Sequence, residues 1–311
     1  MNALPPEPLL PIDISRWRHG NTGIDGAWSW TAPLPGPHVA IFALVHGNEV
    51  CGAHALDALL SEGLRPTKGR LSLVFANIAA YEHFDPAQPP ASRFVDEDLN
   101  RIWSPSVLDG PRQSRELSRA RALRPLVDSI DHLLDLHSMQ LPSPPLMLAG
   151  LTPRALALAK QLGVPEHVVR DAGHAAGARL RDYGGFGAAD STRSALLIEC
   201  GQHLARPSAA LALEASRRFL GLFGIGPEPA SAGAPAQRVI TVTEAVTMQT
   251  DRFAFADEYN GLEVLPHAGT VIGQDGDAAV TTPYDNCVLI MPTRRMVAGQ
   301  TAVRLGRFSE A

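Results

Sequence analysis

The stretch that decides the fold is Val39-Ala40-Ile41-Phe42-Ala43-Leu44-Val45, followed directly by His46-Gly47-Asn48-Glu49. An apolar run of this length, rich in branched residues and stopped by a glycine, reads as a buried strand. From about Glu49 to Leu60 the pattern turns helical, so His46 and Glu49 sit where a strand hands over to a helix. In open α/β sheets, sites form outside the carboxyl ends of the strands. A histidine and a glutamate three residues apart on such a turn can bind one zinc ion, with a third protein ligand coming from elsewhere. Taken alone, the pair reads as readily as ordinary structure.

Two further apolar runs end in the same way. Ile130-Asp131-His132-Leu133-Leu134-Asp135-Leu136 leads to His137, and Ala195-Leu196-Leu197-Ile198 leads to Glu199, followed by Cys200-Gly201. Three buried strands are thus expected to deliver His46, His137 and Glu199 to neighbouring ends. Burying an unpaired charge is costly, so such groups need partners. The plainer alternative is three unrelated polar residues, each satisfied locally. Asp135 stands two residues before His137 and points the same way on an extended strand. It is expected to orient the histidine by hydrogen bonding, the alternative being a simple cap or salt bridge.

Strand-like runs at His38–Val45, Arg70–Asn77, His132–His137, Leu146–Ala149 and Ala195–Glu199 alternate with helix-like runs. The latter are Glu49–Leu60, Gln113–Val127, Pro153–Leu162 and Ser208–Phe223. Alternation of this kind predicts an α/β fold with helices on both faces of the sheet. Phe84–Ser92 and Gly173–Ser194 lack periodicity and read as loops, where sites are often carried. Gly224–Pro235 is made largely of Gly, Pro, Ala and Ser and reads as a linker. The expected division is a catalytic α/β domain over residues 1–228 and a small all-β domain over 236–311. The second part has short β-rich runs at Val239–Val242, Thr270–Ile272, Cys287–Met291 and Thr301–Leu305. Its Gly-Thr-Val-Ile-Gly and Val-Ala-Gly-Gln-Thr segments resemble a lipoyl-type barrel-sandwich. No lysine sits at a hairpin tip, so the role read for it is structural.

Composition narrows the function. The chain has 311 residues, 45% hydrophobic and 19% charged, with a formal net charge of −5. The acidic balance, without a long basic run, argues against nucleic acid as a partner. No apolar stretch reaches the ~18 residues of a membrane span. Met1–Pro6 lacks the charged and apolar regions of a signal peptide, so a cytoplasmic location is expected. Cys51, Cys200 and Cys287 match no cysteine metal motif. A thiol nucleophile is the alternative to small buried hydrophobes.

The sequence becomes specific at Ser92-Arg93-Phe94-Val95-Asp96-Glu97-Asp98-Leu99-Asn100-Arg101. His46-Gly47-Asn48-Glu49, Arg93 with Asp98-Leu99-Asn100-Arg101, Asp135-Leu136-His137 and Ile198-Glu199 follow one another in the order of a known family. Together they resemble the succinylglutamate desuccinylase and aspartoacylase family, a branch of the zinc carboxypeptidase-like hydrolases. The resemblance implies a mixed sheet between helical layers, and one Zn²⁺ held by His46, Glu49 and His137. It implies Glu199 as the general base, Arg93 as the partner of the oxyanion, and Asn100 and Arg101 as the holders of a substrate carboxylate. The guanidinium fork suits that last task.

The implied reaction is hydrolysis of the amide bond of a small carboxylate-bearing N-acyl amino acid. A metallocarboxypeptidase acting on short peptides, an esterase on the same scaffold and a ligand-binding homologue without activity are the alternatives. In the family the second domain narrows the pocket mouth, and Tyr284 could reach the site or simply pack. The stretch before Glu199 departs from the aspartoacylase pattern. Arg181, Tyr183 and Arg193 stay open as substrate-reading candidates, and the resemblance does not choose the acyl group.

Overall fold

Strand and helix alternate through the first part of the chain as the apolar patterning predicts. The computed structural model describes residues 7–226 and 236–309. The strands are β1 (Ala27–Thr31), β2 (Leu34–Ala43), β3 (Lys68–Phe75), β4 (His132–Met139), β5 (Leu146–Leu148), β6 (His167–Arg170) and β7 (Ser194–Gln202). They continue with β8 (Arg238–Thr247), β9 (Phe253–Phe255), β10 (Glu263–Leu265), β11 (Val271–Asp275), β12 (Ala278–Thr281), β13 (Cys287–Ile290) and β14 (Thr301–Phe308). The helices are α1 (Cys51–Ser61), α2 (Ile78–Glu82), α3 (Pro105–Leu108), α4 (Arg115–Asp128), α5 (Pro153–Leu162) and α6 (Arg206–Leu222).

One sheet runs in the order β1-β3-β2-β4-β7-β5-β6-β8-β14-β13-β10. Its centre, β3-β2-β4-β7, is parallel, while β5 opposes β7 and makes the sheet mixed. Side chains alternate across each strand. Ile41, Leu134, Leu136, Leu196 and Ile198 pack on one face with Leu56 and Leu59 of α1 and Phe219 of α6. Ala40, Phe42, Leu133 and Ala195 pack on the other with Leu117, Leu123 and Val127 of α4. Burial on both faces explains why β2 and β4 read as nearly continuous apolar runs. The expected sheet between helical layers is therefore present.

The C-terminal part is β-rich, as expected, and its strands pair with one another antiparallel. β8, β14, β13 and β10 extend the central sheet, and β12-β11-β9 forms a separate small one. Leu146, Leu148 and Leu197 share a core with Ile240, Val288 and Ile290, so the two regions pack against each other. Most of the linker read at Gly224–Pro235 lies outside the described residues, as does Met1–Pro6. Among the described residues no helix is long and apolar enough to cross a membrane.

Candidate active site

The site forms where β2 stops. The strand ends at Ala43, before the apolar run itself ends. Leu44, fully buried, takes φ 58°, a left-handed conformation costing a side-chain-bearing residue ~1–2 kcal/mol. The last pair between β2 and β4 is Ala43 with Leu136. The next residue on β4 is His137, so β2 turns away just where His137 is presented. The turn carries His46 to Glu49 across the strand end, and α1 starts only at Cys51. β4 and β7 run on to Met139 and Gln202, so His137 and Glu199 lie within strands rather than at their last residues. The two stand side by side in register.

Gly47 draws a second loop to this turn. A Cβ there would come within 2.4 Å of Ala80 C and 2.5 Å of Ser92 O. Gly47 N donates to Arg93 O at 3.0 Å. Glu116, buried in the first turn of α4, holds the rest of that loop. Its carboxylate accepts from the backbone N–H groups of Val95 (2.7 Å), Asp96 (3.0 Å) and Glu97 (3.2 Å), and from Asn77 Nδ2 (3.1 Å). Arg93 and Asp98 are thereby set beside His46.

Glu49 lies between the two histidines. Its Oε1 is 2.7 Å from His46 Nδ1 and its Oε2 is 2.7 Å from His137 Nδ1. Each far ring nitrogen meets another carboxylate, His46 Nε2 at 2.9 Å from Asp98 Oδ1 and His137 Nε2 at 2.8 Å from Asp135 Oδ2. All five side chains are buried or nearly so. Asp98 is placed to accept a proton from His46 Nε2, and Asp135 lies against His137 Nε2. A proton on Nδ1 can bridge each of these contacts to Glu49, and so can a metal ion that takes the two Nδ1 lone pairs and the carboxylate as ligands. Ligand atoms of His46, Glu49 and His137 lie within 4.8 Å of one another, so this group could hold a metal ion. Nitrogen, nitrogen and carboxylate oxygen make the donor set of catalytic zinc sites, with oriented second nitrogens.

Charge in the group follows from these contacts. Burial raises the Glu49 carboxyl, but His46 and His137 outweigh it and hold it well below the usual range. Burial disfavours a charged His137, yet Asp135 and Glu49 raise its pKa well above the ordinary value. Asp98 is likewise held down, against its burial, by His46 and Arg93. Glu199 behaves differently. Burial, with Glu49 adding repulsion, lifts it to about 8. Its Oε2 is buried and has no hydrogen-bond partner among the described residues.

His46, Glu49, Asp98, His137 and Glu199 line one cavity of about 300 Å³, together with Arg93, Asn100, Arg101 and residues of the C-terminal region. Arg93 Nη1 is 3.5 Å from Glu49 Oε1, and its Nη2 is 3.0 Å from Asp98 Oδ2. Asn100 Oδ1 accepts from Leu180 N at 2.8 Å, which aims its amide nitrogen at His137 Nε2, 3.5 Å away. Every expected site residue is thus in the cavity wall.

The three open candidates are elsewhere. Arg181 is bound up with Asp171 and Asp182, Tyr183 Oη donates to Asp128, and Arg193 donates to backbone carbonyls. Tyr284 packs under Arg307 and bonds Thr243, away from the cavity. Cys51 and Cys200 are in the helix-side core and Cys287 in the C-terminal core, away from the cavity wall. Arg179, His203 and Arg304 line the cavity without having been expected. His203 follows Glu199 closely, but nothing in a lone histidine distinguishes it from a packed one.

Residues 35–205 match the model of the succinylglutamate desuccinylase/aspartoacylase catalytic domain. The chain belongs to that family. Succinylglutamate desuccinylase from Burkholderia orbicola (strain MC0-3) is 29% identical over 294 residues, covering 85% of this chain and 79% of that protein. The fold is shared with solved succinylglutamate desuccinylases. That of Vibrio parahaemolyticus gives a TM-score of 0.69 at 19% identity, covering 92% of this chain and 87% of its own. That of Vibrio cholerae gives 0.67 at 21% identity, covering 91% and 86%. This member of the succinylglutamate desuccinylase/aspartoacylase family is an enzyme.

Proposed function

We propose that the protein is a zinc-dependent deacylase that hydrolyses the amide bond of a small, carboxylate-bearing N-acyl amino acid. The observation that carries this is the Glu49 carboxylate between two histidine Nδ1 atoms, with each Nε2 tied to a further carboxylate and Glu199 in the same cavity wall. His46, Glu49 and His137 would hold the ion. Bound there, zinc supplies Lewis acidity, lowering the pKa of water towards neutrality and polarising the scissile carbonyl. Glu199 takes the proton of the attacking water and passes it to the departing amine. Burial and the nearby Glu49 raise the proton affinity of Glu199, which favours its taking that proton. Arg93 faces the developing oxyanion, where one such donor is commonly worth ~2.7–4 kcal/mol. Asn100 and Arg101 hold the substrate carboxylate.

Residues 236–311 would act as a cap over a catalytic unit spanning 1–228. Met291, Thr293, Arg295 and Arg304 all contribute to the cavity wall, which supports this division of labour. A cavity of about 300 Å³ is at the small end of ligand sites, which favours an acyl amino acid over a peptide and so the deacylase over the carboxypeptidase.

Metal analysis and turnover test the proposal together. The wild type is expected to carry about one zinc per chain and to release free amine from N-acyl amino acids. Glu199→Gln is expected to keep the metal and lose ~10²-fold or more in kcat. Full metal content in His46→Ala, undiminished turnover in Glu199→Gln, or cleavage confined to dipeptides would overturn it.

A further inference from the structure

His203 is a cavity group that the deacylase reading leaves without a task. It stands just past the end of β7, the strand that carries Glu199, and it lines the same cavity. It is buried, at 6% exposure. Its backbone N–H donates to Met139 O at 2.8 Å, which pins the turn after β7 to the end of β4. Its ring Nδ1 lies 2.9 Å from Ser138 Oγ, while Ser138 N donates to Glu49 Oε2 at 3.4 Å. Ser138 thus ties the ring both to the strand of His137 and to Glu49.

This anchoring uses one ring nitrogen only. Nε2 makes no hydrogen bond among the described residues, and the ring borders the cavity. The charges that bear most on the ring are those of Glu49, Arg93, His46 and His137. His203 therefore stands at the end of the cavity where the scissile carbonyl would lie. Burial outweighs Glu49 and lowers its pKa to about 4, so the imidazole is neutral at pH 7. A neutral imidazole has one N–H donor and one acceptor nitrogen. The Ser138 hydroxyl has no other acceptor among the described residues, so its proton is available to Nδ1.

We propose that His203 is a catalytic residue: Ser138 donates to Nδ1, and the N–H at Nε2 donates to the oxyanion that forms at the scissile carbonyl, beside Arg93. This rests on the deacylase reading above. A donor held in place before the reaction costs no reorganisation when the charge develops.

His203→Asn and His203→Gln separate the two ring nitrogens. The asparagine amide sits where Nδ1 was and can keep the Ser138 bond. The glutamine amide reaches to where Nε2 was and can keep the cavity donor. Zinc-loaded wild type and both variants would be compared on whichever of N-acetylalanine, N-acetylglutamate and N-succinylalanine the wild type hydrolyses fastest. Calorimetry with inorganic phosphate, a tetrahedral anion, gives a second readout. In His203→Asn kcat should fall about 100-fold with KM within about threefold. Phosphate binding should weaken about tenfold in the same variant, with partial recovery of both in His203→Gln. The reverse order, with asparagine active and glutamine impaired, would mean that His203 only pins the turn, and would overturn the proposal. So would a change confined to KM, which would make His203 a reader of the bound substrate. Should His203→Asn lose its zinc, His203→Gln is set against His203→Met, since neither keeps the Ser138 bond and only glutamine keeps the donor. A higher kcat with glutamine then supports the proposal, and equal values overturn it. If no N-acyl substrate is turned over, the deacylase reading fails, and phosphate binding tests His203 separately. Weaker binding by His203→Asn than by His203→Gln supports the donor, and equal binding by all three proteins overturns it.

Discussion

Asp98 and Asp135 do at residue scale what His46 and His137 cannot do for themselves. Each holds the far nitrogen of a histidine, which fixes the ring's tilt and leaves Nδ1 facing Glu49. Asp135 is fully buried on β4, and neither of its oxygens has a well-aligned hydrogen-bond partner among the described residues, although Oδ2 lies 2.8 Å from His137 Nε2. Its charge is therefore offset mainly through His137. Groups in this position usually tune metal affinity by 10–100-fold. Asp135→Asn should weaken zinc binding about tenfold or more, measured by competition with a chelating dye. Unchanged affinity would leave Asp135 a packing residue. Its contact with His137 was legible in the sequence, because a two-residue spacing on a strand places both side chains on one face. The partnership of Asp98 with His46 was not legible, since it depends on two loops meeting through Gly47. Gly47→Ala should disrupt that meeting, with loss of metal and of activity, because the nearest atoms are backbone and cannot move aside.

At the scale of elements, the helices with clear end signals came out as read. α5 spans Pro153–Leu162, with Thr152 accepting from Ala155 N, Pro153 in the first turn and Gly163 in the left-handed conformation at the end. β1, β6, β9, β10 and β12 carry no comparable signal. They are three to five residues long, too short for a period-two pattern to stand out. The loop from Arg93 to Arg101 was legible only as a motif. Its shape comes from the Glu116 carboxylate, which collects three backbone N–H groups distant in sequence. Glu116→Ala would leave those partly buried donors and the Asn77 amide without their acceptor, at a cost of ~2–3 kcal/mol. The expected result is a melting temperature lower by roughly 5–10 °C and faster proteolysis within 93–101. A variant that melts normally and keeps its metal would show that the loop holds its shape unaided.

Across the whole molecule, the central parallel strands were legible because burial on both faces writes them as apolar runs. The way the C-terminal strands join the same sheet was not, since pairing between β6 and β8 spans the segment around 227–235 and leaves no local mark. The same long-range assembly creates the cluster around Asp171. That residue follows β6, while its cations come from the loop at 179–181 and, more distantly, from β14. Burial works to raise its pKa, but Arg179 and Arg181 prevail and hold it at about 2, against an ordinary value of 3.8. A carboxylate depressed in this way adds stability that is fully present above the unfolded value. That stability is lost as pH falls from 3.8 towards 2. Just under two pK units correspond to ~2.5 kcal/mol. Asp171→Asn removes this term at neutral pH and also leaves the guanidiniums facing one another, so a loss of ~3–5 kcal/mol is expected there. Urea unfolding of both proteins from pH 7 to pH 2 would check it. The difference between them should hold steady down to about pH 4 and shrink below it. A difference that is constant across the whole range would show that Asp171 stabilises the fold by shape and hydrogen bonding alone, not by its charge.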